Sequence, residues 1–389
     1  MGAVIPRLND NAMTLVRFGL MLLCAALAFG LIGIGFMALM YLLSLLAQGR
    51  DDAASHGISA TDSSRFGGLA IGIVFIVFIG GVAIFSPYTP GFLRSDDFLY
   101  IWGAVFICCV LGLIEDFKPD YLPPKLRLTS KFIVFGLLLY LVPALLPRQV
   151  GAPLLDWLLQ IDIFAWGFTL IFCVGFINAI NMADGANGLV PGIATCALTV
   201  LFLTYGRPAE AALIFTCVTF LIFNVVTGRF FLGDMGSYGL GSILVIYGLN
   251  GVVAGDFSPA FMAALLAYPC IDFVVSIGRR LARGYSPFAA DNGHLHNLIY
   301  RWLSARLKHN IVANSLTGLL ISCSSAGLVL LGYLNGWWPP TSHMWAWVFA
   351  LEIVLYCVAM VLLRRSGRET QYAEAQSLTA SISVESSVE

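Results

Sequence analysis

The chain has 389 residues, of which 59% are apolar and 11% charged, with a formal net charge of −1 and a mean hydropathy of +0.87. A soluble domain of this size needs more polar surface, so lipid is the solvent for most of it. The near-zero charge gives no reason to expect a nucleic-acid partner.

Taken in chain order, apolar runs of roughly 20 residues, enough to cross a bilayer, fall near 13–47, 67–86, 98–114, 131–147, 159–177, 189–205, 209–226, 238–254, 258–277, 312–334 and 344–363. The expected fold is an all-α integral membrane protein with about eleven transmembrane helices, forming one domain over 1–363. The first run is long enough to tilt or to include an interfacial turn, and it lacks the small-residue site of a cleavable signal. Residues 364–389 are polar and are expected to form a disordered tail. The nine cysteines all lie in apolar runs without a CxxC spacing, so they read as small packing residues.

Lys and Arg are divided unevenly between the loops. Arg50, Arg65, Lys118, Lys125, Arg127, Lys131, Arg229, Arg279, Arg280, Arg283, Arg301, Arg306, Lys308, Arg364, Arg365 and Arg368 fall on one side; Arg7, Arg94, Arg148 and Arg207 fall on the other. The richer side is expected to be cytoplasmic, which puts the N-terminus outside and the C-terminus inside.

Four polar clusters open on that same side. "GLIEDFKPDYLPPKLRLTSK" sets Glu115 beside Asp116, with Lys125, Arg127 and Lys131 following. "NAINMADGANGL" spaces Asn178, Asn181, Asp184 and Asn187 every third residue, interrupted by Gly185 and Gly188. "FNVVTGRFFLGDMGSYGLG" places Asp234 between glycines, ten residues after Asn224. The ninth run contains Asp272 and ends in "GRRLARGYSPFAADNGHLHNLIYR", with His294 and His296 two apart. An ionisable group at membrane depth costs about 2.5–3.5 kcal/mol on insertion scales, so each invites a functional reading. One cluster alone would pass as a cap or an interfacial anchor; four on one face would not.

Asp116, Asp184 and Asp234 are hard oxygen donors without a thiolate nearby, a set that suits Mg²⁺ shared with phosphates, with Mn²⁺ as the alternative ion. Glycines beside Asp184 and Asp234 let backbone N–H groups approach a phosphate. Lys125, Arg127, Lys131, Arg279, Arg280 and Arg283 offer further positive charge. A zinc site at His294 and His296 lacks a third ligand.

These motifs, together with "RFGGLAIG", resemble the polyprenyl-phosphate N-acetylhexosamine-1-phosphate transferase superfamily, which includes phospho-N-acetylmuramoyl-pentapeptide transferase. The resemblance covers about residues 65 to 300. It implies transfer of a sugar-1-phosphate from a UDP-sugar donor to undecaprenyl phosphate in the bilayer, with release of UMP and the start of a cell-surface glycan. It implies Asp234 as the Mg²⁺ ligand, supported by Asp184, and Asp116 as the group that meets the prenyl phosphate. Lys131 would hold phosphate, and His294 and His296 would contact the donor's sugar-phosphate part. Asn178, Asn181, Asn187, Asn224, Phe231, Glu115, Lys125, Arg127 and Arg283 complete the implied substrate-binding set, with Asn224 orienting Asp234 or the nucleotide and Phe231 stacking on uracil. A homodimer is left open.

Three positions depart from the family pattern. Glu115-Asp116 replaces Asp-Asp, Asn187 replaces a carboxylate in "DGANG", and Asn297 ends "HLHN". The last departure points away from the pentapeptide-muramic acid branch, the alternative enzyme, and toward simple N-acetylhexosamines. A polytopic transporter is the rival from another class, but broken helices with polar midpoints would mark it, and here the clusters lie at one rim.

Overall fold

In a bilayer every backbone N–H and C=O must be satisfied within the chain, so long apolar runs cross as helices. The computed structural model describes Gly30 and residues 33–45, 50–51, 63–85, 96–119, 121–228, 230–286 and 292–385. Helix dominates them: α1 (Gly33–Ser44), α2 (Gly67–Phe85), α3 (Asp96–Phe117), α4 (Pro124–Leu141), α5 (Pro153–Leu158), α6 (Asp162–Ala183), α7 (Leu189–Tyr205), α8 (Pro208–Thr227), α9 (Gly233–Val253), α10 (Pro259–Leu265), α11 (Ala267–Ala282), α12 (Leu295–Ser304), α13 (Asn310–Ser322), α14 (Leu328–Leu334) and α15 (Trp345–Glu385). Two two-residue strands, β1 (Arg50–Asp51) and β2 (Ser63–Ser64), pair antiparallel.

Each apolar run expected from residue 67 onward carries a helix, and the chain is an all-α, multi-pass membrane protein. Six of the helices are long and apolar enough to cross a membrane, or seven if the bent pair α10–α11 is one span. The expectation of eleven is higher because α1, α2 and α7 have shorter apolar stretches and α4 carries Lys125, Arg127 and Lys131. Most of the first run lies outside the described residues.

Local chemistry explains the irregularities. The ninth run bends by 80° between α10 and α11. Pro269 lies in the first turn of α11; it has no N–H to give, and its ring opposes the carbonyl four residues back, at Leu265, where α10 ends. Ser258 caps α10 by accepting from the Phe261 N–H at 3.1 Å. The tenth run contains a π-turn, Cys323–Gly327, between α13 and α14. α15 runs unbroken from Trp345 to Glu385.

α9 is the central post, buried along most of its length and packed most extensively against α3 and α6, then α2. Lipid is as apolar as a helix face, so these contacts depend on close van der Waals fit and small residues. A Cβ on Gly68 would lie 2.1 Å from the Gly236 nitrogen, and one on Gly112 would lie 2.4 Å from the Asp234 backbone. The start of α2, the end of α3 and the start of α9 are thereby held against one another. Eight cysteines among the described residues are free.

Candidate functional site

The first backbone N–H groups of a helix have no partner inside it and carry the positive end of its dipole. At the start of α9 that need is met from 118 residues away in sequence: Asp116, in the last turn of α3, accepts from the Asp234 N–H on Oδ1 and from the Met235 N–H on Oδ2, both at 2.8 Å. Gly233, at φ +74°, turns the chain into α9, and a Cβ there would lie 2.8 Å from both Asp116 oxygens and 2.1 Å from the Arg65 carbonyl. Asp116 was expected to meet the acceptor phosphate. Both its oxygens accept these backbone bonds, and it is 1% exposed. Asp116 thereby anchors the start of α9.

That anchor presents Asp234. Its Oδ1 accepts from Asn181 Nδ2 at 2.6 Å, and the same amide reaches Ser237 Oγ at 2.9 Å. Its Oδ2 lies 3.6 Å from Arg127 Nη1, and the two side chains keep about a fifth of their surface open, 20% and 22%. Asp184 closes α6. Burial and then the Asp234 carboxylate push its carboxyl up to about 7, and a hydrogen bond from the Gly233 N–H offsets part of this. Two acids crowded this way favour either a shared proton or a bound cation.

The basic side chains are held on the other flank. Lys131 is buried, donates to Asn178 Oδ1 at 2.6 Å and lies 3.8 Å from the centre of the Tyr238 ring. Asn178 therefore orients Lys131. Glu115, also buried, pairs with Arg127 at 3.2 Å and accepts from the Leu122 N–H at 3.3 Å. It holds Arg127 in place. Lys125 and Arg283 are exposed, and no described contact brings them to the acids.

In the second half of the "NAINMADGANGL" stretch, Asn187 is 2% exposed. Its N–H donates to Asn314 Oδ1 at 2.7 Å, its amide donates to Ser315 Oγ at 3.3 Å, and its Oδ1 accepts from Asn224 Nδ2 at 3.3 Å. Asn224 also accepts from the Gly188 N–H at 2.6 Å and donates to the Phe230 carbonyl at 2.8 Å. Both amides knit the loop after α6 to α8 and α13, and Asn187 is buried between them. Phe231 is half-buried, its backbone tied to Ser64 and Gly67.

His294 and His296 flank the same loop. Their rings stack at 5.3 Å with 12° between planes. A Cβ on Gly185 would lie 2.3 Å from His296 Nε2, so this ring sits directly against the Asp184 loop. Burial, only partly opposed by Asp272, holds the His296 imidazole down to about 4, and nearby His294 adds to the effect. It is neutral at pH 7.

Several partners escaped the sequence reading. Arg65 acts electrostatically on both Asp116 and Asp234. Ser237 and Tyr238 follow Asp234 by one helical turn, a spacing that could have flagged them. Asn314, Ser315, Tyr268 and Tyr356 left no local signal. Among the described residues, no three His, Cys, Asp or Glu side chains converge to hold a metal ion by themselves.

The structure is a multi-pass helical bundle with acids, amides and cations gathered at one end. A family profile described as Glycosyl transferase family 4 matches residues 98–252. The chain is 30% identical over 276 residues to the "Probable undecaprenyl-phosphate N-acetylglucosaminyl 1-phosphate transferase" of Bacillus subtilis (strain 168), covering 67% of this chain and 72% of that protein. It is 28% identical over 243 residues to the "Undecaprenyl-phosphate alpha-N-acetylglucosaminyl 1-phosphate transferase" of Yersinia pestis, covering 58% of this chain and 66% of that one. The protein of the same name from Escherichia coli (strain K12) is 26% identical over 247 residues, covering 58% and 65%. The match thus spans just under two thirds of the Yersinia and Escherichia relatives. The chain belongs to glycosyl transferase family 4, the superfamily that its motifs resemble.

Proposed function

We propose that the chain transfers a sugar-1-phosphate of the N-acetylhexosamine type from a UDP-sugar to undecaprenyl phosphate, at the cytoplasmic rim of a bacterial inner membrane. The observation that carries this reading is the meeting of Asp184, Asp234, Asn181, Arg127 and Lys131 at one end of a bundle whose α4, α6 and α11 carry the exposed apolar side chains Ile133, Ile171 and Val274. A charged donor would arrive from water and an acceptor with an apolar tail from the bilayer. The relatives' names support the acceptor. The apolar runs support eleven crossings, and the loop distribution of Lys and Arg supports an N-terminus outside and a site facing the cytosol.

In the reaction an acceptor phosphate oxygen bonds to the β-phosphorus of the donor. The bond from that phosphorus to the bridging oxygen breaks, and UMP leaves with the electron pair. Phosphoryl transfer of this kind depends on positioning and charge neutralisation. Arg127, held by Glu115, and Lys131, held by Asn178, stabilise charge spreading over the phosphate oxygens. Asn181 fixes one oxygen of Asp234, and Asp116 fixes the backbone on which Asp234 stands.

Two crowded carboxylates, Asp184 and Asp234, are donors of the kind that Mg²⁺ shares with phosphate oxygens and water. When bound there, the ion would neutralise diphosphate charge. The test is detergent-purified protein given labelled UDP-GlcNAc, undecaprenyl phosphate and Mg²⁺, then a panel of other UDP-N-acetylhexosamines. Lipid-soluble label with equimolar UMP is expected. No transfer from any donor overturns the reading.

A further inference from the structure

A buried carboxylate has to be fully hydrogen-bonded, and the groups that satisfy it are held in turn. Asp272, on α11, is 1% exposed. Its Oδ2 meets His294 Nδ1 at 2.5 Å. Its Oδ1 accepts from the Leu295 N–H at 3.1 Å and from the Tyr356 hydroxyl at 2.8 Å. Three segments of chain converge on one side chain: α11 supplies it, the start of α12 supplies the histidine, and α15 supplies the phenol.

We propose that Tyr356, acting through Asp272, is a positioning residue that fixes the imidazole of His294 beside the site. An Nδ1–H held by a carboxylate sets the tautomer and leaves Nε2 as the nitrogen free to act. The Tyr356 hydroxyl locks the far oxygen of that carboxylate, so Asp272 cannot rotate without losing a bond. His296 is steadied separately: its Nδ1 lies 3.0 Å from the Tyr268 hydroxyl, which also accepts from its N–H at 3.2 Å. The two tyrosines lie side by side, ring centres 6.3 Å apart, each serving one of two stacked histidines. Ser276 Oγ lies 3.2 Å from His294 Nδ1 and accepts from Arg279 at 2.9 Å. A tyrosine that only filled space would need no hydroxyl aimed at a carboxylate.

The geometry belongs to the fold, and the effect on rate rests on the transfer reading above, so the experiment separates the two. The chain has five histidines, few enough for ring signals of ¹⁵N-histidine-labelled protein to be assigned by loss, with His294→Gln identifying His294. Tyr356→Phe removes one oxygen and keeps the ring. It is expected to move the His294 Nδ1 signal and leave His309 and His343 unchanged, and Asp272→Asn is expected to move the same signal. In the transfer assay Tyr356→Phe is expected to lower kcat about tenfold or more with donor KM within about twofold, and to add nothing in a His294→Gln background. An unmoved His294 signal in folded Tyr356→Phe overturns the proposal, as does an equal further loss of rate in the His294→Gln background. Should Tyr356→Phe fail to fold, Asp272→Asn decides by the same signal. If the unsubstituted protein transfers nothing, the transfer reading fails alone, and the ring signal still decides the role of Tyr356.

Discussion

Gly185→Ala adds one methyl group to the loop between α6 and α7. The backbone there is not in the left-handed region, so alanine suffers no conformational strain, and the effect comes from contact alone. The new Cβ would lie 2.3 Å from His296 Nε2, against an ordinary contact of 3.4 Å or more. Loop and ring must therefore part by about 1 Å. The ring cannot swing freely, because it is 2% exposed and held at Nδ1 by Tyr268. The displacement then falls partly on Asp184, one residue away. A misplacement of about 1 Å costs up to about a hundredfold in rate, while overpacking of this kind costs about 1–3 kcal/mol of stability. The assay is kcat/KM for UDP-sugar transfer alongside thermal unfolding in detergent, with Gly167→Ala as control, since nothing lies within 4 Å of its Cβ. A rate within about twofold of the unsubstituted protein would show that His296 and the Asp184 loop need not be in register for turnover.

Asp116→Asn should lower thermal stability as well as rate, because one of two charge-assisted bonds, each worth about 1.5–3 kcal/mol, gives way to an amide N–H facing the Asp234 or Met235 N–H; Asp234→Asn should lower rate with little loss of stability, and the reverse pattern in thermal melts would refute these assignments. Asn187→Asp should lower the unfolding temperature and leave donor KM within a few-fold, since a buried charge replaces an amide bonded to Ser315; a large KM change at unchanged stability would return Asn187 to the nucleotide. His296 refuses a proton until about pH 4 in the fold, while the unfolded chain accepts one near 6.5, so its contribution to stability is whole above about 6.5 and is lost as pH falls toward 4. His296→Gln should flatten stability over that window, and an unchanged pH profile would refute the burial argument.

The sequence by itself determined the solvent, the helical class and the end of the bundle where the polar residues gather. Apolar length and the distribution of Lys and Arg are local quantities, and lipid punishes any misplaced charge. It also singled out Asp184, Asp234, Asn181 and Lys131, because carboxylates, amides and amines at membrane edges have few bland explanations. Partnership was not legible there. Only when Gly68, Gly112 and Gly236 let α2, α3 and α9 close up do the Asp116 oxygens meet the N–H groups of Asp234 and Met235. Nothing near Asn187 announced that α13, 127 residues on, would supply Asn314 to its N–H. Pro269 could have announced the bend between α10 and α11, but the pairing of Tyr356 with Asp272 could not have been foreseen, since α15 meets α11 only when the bundle is assembled. Hydrogen-bond partners are chosen by which helices abut. That choice belongs to long-range packing, which no window of sequence contains.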